Sequence, residues 1–228
     1  MGNKFDWHKE TEKQWDQRAS YWNENSDNMW DKGSRKTIIP FLARFVPKGS
    51  QVGDIGCGDG YGSWKLHREG YKVIGVDISK QMIEKAKART VPEQLMFEQG
   101  DLAELPFQSE SFDAIMAINS LEWVEDPLHA LRELSRVLRK HGVLCVGILG
   151  PTAHPRINSF PRLYGENAIC NTMMPWEFKK LVEEMGFELL DGHGVYKREV
   201  KENTIASYPE ELKQALSFMW VYAMKKNF

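Results

Sequence analysis

The run VGDIGCGDGYG, residues 52–62, holds five glycines, two aspartates and a cysteine directly after an apolar stretch. Glycine weakens strands and helices, so this density marks a turn that needs positive φ or a backbone that a ligand must approach closely. The glycines at 56, 58, 60 and 62 give GxGxG with one more glycine beyond. The dinucleotide fingerprint GxGxxG is not met, because Ser63 stands where its last glycine would fall. The GKS or GKT ending of a nucleotide P-loop is also missing. Three acidic residues accompany the run: Asp54 within it, Asp77 in VIGVD and Asp101 in QGDL. A carboxylate at a strand end can accept hydrogen bonds from both hydroxyls of a ribose, and a polar site one strand outward suits an adenine. Asp54 is either a direct cofactor contact or a partner for a buried backbone group.

These residues need strand ends to position them, and the pattern around them supplies strands. QVGDIG, KVIGVDI, LMFEQGD, FDAIMAINS and VLCVGIL read as strands. Between them YGSWKLHREG, SKQMIEKAKART and PLHALRELSRVLRKHG read as helices, with Ser79 as an N-cap. Such alternation predicts an α/β fold, a mostly parallel sheet covered by helices on both faces. Ligands of such sheets bind beyond the carboxyl ends of the strands, which is where the glycine run lies. Beyond Gly150 the rhythm breaks into a proline-bearing stretch, 151–175, expected to be irregular. PWEFKKLVEEMG, FELLDGHGVYKR, YPEELKQAL and SFMWVYAMKK then predict helix, strand, helix and strand. No linker divides the chain, so 1–228 is expected to be a single domain.

Trp7, Trp15, Trp22 and Trp30 are spaced eight, seven and eight apart in a polar segment. That spacing aligns them on one helical face at least through EKQWDQRASYW, with NENSDN expected to interrupt the helix. A second helix is expected over SRKTIIPFLARF despite Pro40. Residues 1–30 are expected to form lid helices over the site, and 151–175 the opposing cover of a substrate pocket. Trp22, Trp123, His154 and Tyr164 are candidates for lining that pocket.

Composition narrows the function classes. Acidic residues exceed basic ones by two, without a long basic run, which argues against nucleic acid as a partner. The three cysteines form no CxxC pair, and no histidine stands at metal-ligand spacing, so no metal and a reduced, cytoplasmic setting are expected. The polar start, MGNKFDWHKE, lacks the apolar core of a signal peptide, and VLCVGILG is too short to span a bilayer, so no membrane insertion is expected.

From QVGDIGCGDGYG through VIGVDIS, FEQGDLAELPF and SFDAIMAINSLEWVEDP to RVLRKHGVLCVG, the chain resembles the class I S-adenosylmethionine-dependent methyltransferases. Within them it is similar to the small-molecule, ubiquinone/menaquinone type. The resemblance covers roughly residues 35–150, with MPWEFKKLVEEMGF similar to the next helix of the family. It implies a Rossmann-like seven-stranded sheet whose last strand is antiparallel and inserted beside the fifth. It also implies S-adenosyl-L-methionine as cofactor and a small-molecule methyl acceptor. Gly56, Gly58 and Gly60 would let the backbone pass the methionine part of the cofactor, with Cys57 a small neighbour on the same surface. Asp77 would hold the ribose, Ile78 and Leu102 would contact the adenine, Asp101 would accept its amino group, and Asn119 would offer its carbonyl to the ammonium.

Methyl transfer needs a general base only when the acceptor must lose a proton. Glu122, in the loop after the fourth strand, is the candidate base, or else a solvent-facing loop carboxylate. The family often has histidine near this position, and LEWV does not. A non-catalytic module, a domain for another adenosine cofactor and a protein methyltransferase are the alternative readings.

Overall fold

The computed structural model describes residues 5–228, so the first four residues of the expected 1–30 cover lie outside the described residues. One sheet of seven strands organises the chain: β1 Gln51–Ile55, β2 Lys72–Asp77, β3 Leu95–Gln99, β4 Phe112–Ile118, β5 Leu138–Leu149, β6 Phe187–Tyr196 and β7 Ser217–Lys226. Their order across the sheet is β3-β2-β1-β4-β5-β7-β6. Strands β1 to β5 pair in parallel, and β7 runs antiparallel to both β5 and β6 between which it is inserted. The class I methyltransferase fold expected from the sequence is the fold observed. The order reverses between β1 and β4, which opens a crevice at their carboxyl ends.

Side-chain alternation along the strands feeds two apolar layers. From β4, Ile115 and Ala117 join Leu131 and Leu134 of α5 (Pro127–Val137) and Phe178 of α6 (Pro175–Glu184). Ala114, Met116 and Ile118 point the other way. They join α2 (Ile38–Leu42), Leu66 of α3 (Tyr61–Arg68) and Ile83 of α4 (Lys80–Ala86). Asp126 caps α5, accepting from the His129 amide at 3.0 Å, and Ser79 caps α4, accepting from Met82 at 3.1 Å. Two short helices, α7 (Glu202–Ile205) and α8 (Glu210–Ala215), precede β7.

Three local expectations are corrected. NENSDN does not break the first helix: α1 runs unbroken from Trp7 to Asp31. Helix-weak residues cost a few tenths of a kcal/mol each (about 0.5 on average). Against that cost, Ser26 Oγ donates to the buried Asp59 carboxylate at 2.6 Å and Trp30 sinks against α3. The helix expected to reach Gly142 stops at Val137, and the chain continues directly into β5. Buried Lys226 Nζ donates to the carbonyls of Ser135 (2.8 Å) and Leu138 (2.9 Å), satisfying groups that the helix end leaves open. The 151–175 stretch is not irregular throughout, since His154–Tyr164 forms a 3-10 helix.

The four tryptophans of α1 divide into two roles. Trp30 is buried against Gly62, where a Cβ would come within 2.3 Å of its ring, whereas Trp22 stays half-exposed. Trp30→Ala is expected to cost about 3–5 kcal/mol of unfolding free energy. Trp22→Ala should cost well under half of that, as read by urea denaturation of the two variants.

Candidate active site

The glycine run leaves β1 and turns into α3 through three left-handed glycines, with φ of 80° at Gly56, 56° at Gly58 and 78° at Gly60. At Gly56 a Cβ would stand 2.5 Å from that of Ser120, so the loop lies directly against the end of β4. At Gly58 the nearest atom to such a Cβ is Met82 Sδ at 4.0 Å, which leaves the backbone open to the cavity. Gly60 instead faces Phe97 and Ala86, and it serves the turn and not the cavity wall.

Asp77, at the end of β2, ties this loop down. Its carboxylate accepts from the Gly58 amide at 2.8 Å and from the Ser79 amide at 2.9 Å. Burial pushes its pKa up to about 6 against those two hydrogen bonds. Asp54 lies behind the loop, 3% exposed, and accepts from Ser63 Oγ at 2.6 Å. It does not line the cavity, and its partner is the Ser63 hydroxyl and not the backbone group expected of it. Burial pushes the Asp54 carboxyl up to about 7, with Ser63 and the Arg35 charge opposing that shift.

The cavity above the loop has a volume of about 870 Å³ counting its mouth. Its walls include Gly56, Cys57, Gly58, Asp77, Ile78, Asp101, Leu102 and Asn119, which brings eight of the sequence candidates together. Trp22 and Trp123 line it as well. Burial drives the Cys57 thiol well above its ordinary range, which suits a wall and not a nucleophile. Asn119 takes a left-handed φ of 53°, and its carbonyl accepts from Trp123 Nε1 at 2.7 Å. A carbonyl has two lone pairs, so one stays available to a ligand.

Helix α1 lies across the mouth. Trp7, His8, Thr11, Trp15 and Trp22 face the cavity from it. Trp7 Nε1 donates to the Trp123 carbonyl at 2.7 Å, and His8 Nδ1 is hydrogen-bonded to Asp101 Oδ2. Asp16 accepts from Ser79 Oγ at 2.6 Å and from the Gln81 amide at 3.1 Å. Trp15 meets Trp123 edge-on at 5.3 Å and Trp22 at 6.0 Å, forming an aromatic wall. Arg35, in the turn after α1, places its guanidinium over the rings of Trp22 (4.9 Å) and Trp30 (5.6 Å) and also lines the cavity. Burial lowers its pKa below the ordinary arginine value, and the charges of Asp54, Asp59 and Glu122 oppose that shift.

Three candidates stand elsewhere. Glu122 is fully buried and outside the cavity, its Oε1 accepting from the Leu149 amide at 2.5 Å. It is neither a base within reach of an acceptor nor a solvent-facing carboxylate. His154 and Tyr164 also lie off the cavity, with Tyr164 72% exposed. The period of three in the 3-10 helix turns Ala153, Arg156 and Ser159 inward, and that sends His154, Ile157 and Phe160 to the surface. Sequence reasoning did not reach Arg35, His8, Thr11 or Ser120. The tryptophan spacing pointed to the right face of α1, whereas nothing local marks Arg35. Among the described residues, no group of three or more His, Cys, Asp or Glu could hold a metal ion, and no helix is long and apolar enough to cross a membrane.

A family model described as a methyltransferase domain matches residues 53–146. The chain is 34% identical over 134 residues to 27-O-demethylrifamycin SV methyltransferase of Amycolatopsis mediterranei, covering 56% of this chain and 48% of that protein. It thus spans about half the length of that relative. To O-methyltransferase resE of Aspergillus sclerotiorum it is 30% identical over 181 residues, covering 76% of this chain and 69% of the relative. In fold it is similar to a chain in the complex between the Trm112 methyltransferase activator of Haloferax volcanii and a methyltransferase, with a TM-score of 0.72 and 20% identity. That likeness covers 95% of this chain and 97% of the other.

Asp54 gives the site a pH signature of its own. With a native pKa raised to about 7 from 3.8, the native state holds a proton that the unfolded state has released. The resulting stabilisation is complete below about pH 4 and is lost as pH rises through about 7. Asp54→Asn should flatten this fall, read as Tm against pH between 4 and 8 without ligand.

Proposed function

The chain belongs to the class I S-adenosylmethionine-dependent methyltransferases, and on that premise we propose that it methylates a small-molecule acceptor inside the cavity roofed by α1. The observation that carries this reading is the convergence of Asp77, Asp101 and Arg35 on one cavity whose floor is the glycine loop. The donor set fits the cofactor: a loop with room at Gly58, a strand-end carboxylate, and Ser120 Oγ, buried without a partner among the described residues. When bound, S-adenosylmethionine supplies a methyl group already activated on its sulfonium.

In this reading Asp77 accepts the ribose hydroxyls, Ile78 and Leu102 flank the adenine, and Asp101 takes its amino group. The backbone from Gly56 to Gly58 passes the methionine part, and the Asn119 carbonyl meets the ammonium. Arg35 adds what the sequence did not mark, a planar cation for the methionine carboxylate. Trp15, Trp22 and Trp123 wall the acceptor side, which favours a planar, largely apolar acceptor, the class to which quinones belong. The titratable side chains lining the cavity are already engaged or buried: His8 with Asp101, Asp59 with Ser26, and Asp77 with two amides. The acceptor therefore presents a lone pair without a protein base. Its attack is governed by alignment and water exclusion, which are the tasks of α1 as a lid.

Calorimetry with S-adenosylhomocysteine and 5′-methylthioadenosine, which lacks the amino-acid part, tests the assignments. Arg35→Met should weaken S-adenosylhomocysteine by about tenfold to a hundredfold, on the order of 1.5–3 kcal/mol for a charged hydrogen bond, and leave methylthioadenosine unchanged. Asp77→Asn should weaken both ligands. Protonation of Asp77 removes the acceptor that the ribose needs, so affinity for both should fall as pH drops below about 6. Equal loss of the two ligands in Arg35→Met would put Arg35 elsewhere.

Deleting residues 1–24 keeps Ser26 and Trp30 in place while removing the roof. The shortened chain should stay folded and bind S-adenosylhomocysteine more weakly, and transfer of labelled methyl into a metabolite extract should collapse. Full transfer by the shortened protein would end the lid reading.

A further inference from the structure

Glu122 is a buried acid that the proposed chemistry does not use, and its surroundings give it another task. It sits in the 3-10 turn Leu121–Trp123, between Asn119 and Trp123, both of which line the cavity. Its Oε1 accepts from the Leu149 amide at the end of β5. Arg156, buried in the flap after β5, donates from Nε to the Gly150 carbonyl (2.9 Å) and from Nη2 to the carbonyls of Leu149 and Met173 (2.7 Å to Met173). Among the described residues, Glu122 Oε2 and Arg156 Nη1 are both buried without a hydrogen-bond partner, no ion pair joins the two side chains, and burial raises the Glu122 pKa. Asn171 clasps the same turn. Its Nδ2 donates to the carbonyls of Leu121 (2.7 Å) and Val124 (2.9 Å), and its amide donates to the Glu122 carbonyl (2.9 Å).

This cluster therefore joins the turn after β4, the flap and the segment entering α6. The turn in turn holds the lid, because the Trp123 carbonyl accepts from Trp7 Nε1 and from Thr11 Oγ1 (3.5 Å). We propose that Glu122 is a positioning residue: its carboxyl group, held by the Leu149 amide at the end of β5, fixes the turn whose Trp123 carbonyl docks α1 over the cavity. Gln in its place would accept from the Leu149 amide more weakly and put an NH2 group where Oε2 has no partner, a buried polar group that strains whatever surrounds it. That strain falls on the turn that carries Glu122, which is held by the Leu149 amide, the Asn171 clasp and the Trp123 indole bond to Asn119. Trp123 would shift, and the indole of Trp7 would lose its acceptor. The proposal rests on the reading of the cavity as the cofactor and acceptor site, because only then does the docking of α1 govern ligand retention.

Hydrogen exchange on the full chain, with stopped-flow dissociation of S-adenosylhomocysteine as the second readout, tests this. In Glu122→Gln, which keeps an acceptor for Leu149 but not the charge, amides of α1 from about 10 to 22 should exchange several-fold faster. Those of β1 and β4 should stay protected. Dissociation of S-adenosylhomocysteine should quicken by about threefold to tenfold, and Glu122→Ala should exceed Glu122→Gln in both readouts. Trp7→Phe should loosen α1 by itself, and Glu122→Gln on top of it should add little, since both act through the Trp123 carbonyl. Unchanged α1 exchange in folded Glu122→Gln overturns the proposal, as do full additivity with Trp7→Phe and collapse of both Glu122 variants into unfolded protein. If the unaltered chain fails to bind S-adenosylhomocysteine, the functional reading falls, and the exchange data still decide whether Glu122 positions α1.

Discussion

The hydrogen bonds from the amides of Gly58 and Ser79 to one carboxylate, that of Asp77, hold together everything above the sheet. They fasten the glycine loop of the first strand to the end of the second and set the start of α4. A neutral side chain of the same shape could accept only one of those amides well, and it would leave the other buried without a partner. The ionised form suits both amides but resists burial, which pushes the Asp77 pKa up to about 6 against the two hydrogen bonds. A ligand bringing two hydroxyl donors to the same oxygens would oppose that shift. The loop is thus folded around the charge that such a ligand needs.

Helix α1 is attached to that arrangement by polar contacts more than by burial. Its mean composition is hydrophilic, and its links are discrete: Asp16 to the start of α4, Ser26 to Asp59, Trp7 to Trp123, and Asp31 to Tyr61 and Lys65. Only near its end does Trp30 join the apolar layer over α3. Toward its start, Trp7 and Trp15 pack against a separate apolar cluster of Trp123, Leu149, Ala153, Ile169 and Cys170.

The residues proposed for the cofactor were largely legible in the sequence as cavity-lining positions and those proposed for the acceptor largely were not, for a physical reason. Gly56, Gly58, Asp77 and Asp101 follow strands in a parallel sheet, and the topology carries every such strand end to the same edge. Local sequence is then enough to place them. Arg35 lies in a turn with no periodic signal, and it reaches the cavity only because α1 and α2 bracket the sheet. Glu122 misled for the converse reason. It follows β4 by a few residues, where a carboxylate could face the crevice, but a tight turn rotates it toward β5 and exposes Trp123 to the cavity instead. The continuity of α1 through NENSDN was equally beyond local reading, since Ser26 and Trp30 find their partners only in the folded chain.

Trp123 is where the two halves of the cleft meet. Its indole N–H donates to the Asn119 carbonyl, its own carbonyl receives the indole of Trp7, and its ring abuts Trp15. One residue thus bonds the end of β4 on the sheet side and supplies the docking point for α1 on the other. A ligand group that approaches Asn119 must share that carbonyl with the Trp123 indole. Any adjustment there is transmitted through a rigid ring and not a flexible chain. The aromatic wall and the glycine-loop side of the cavity are therefore joined through Trp123.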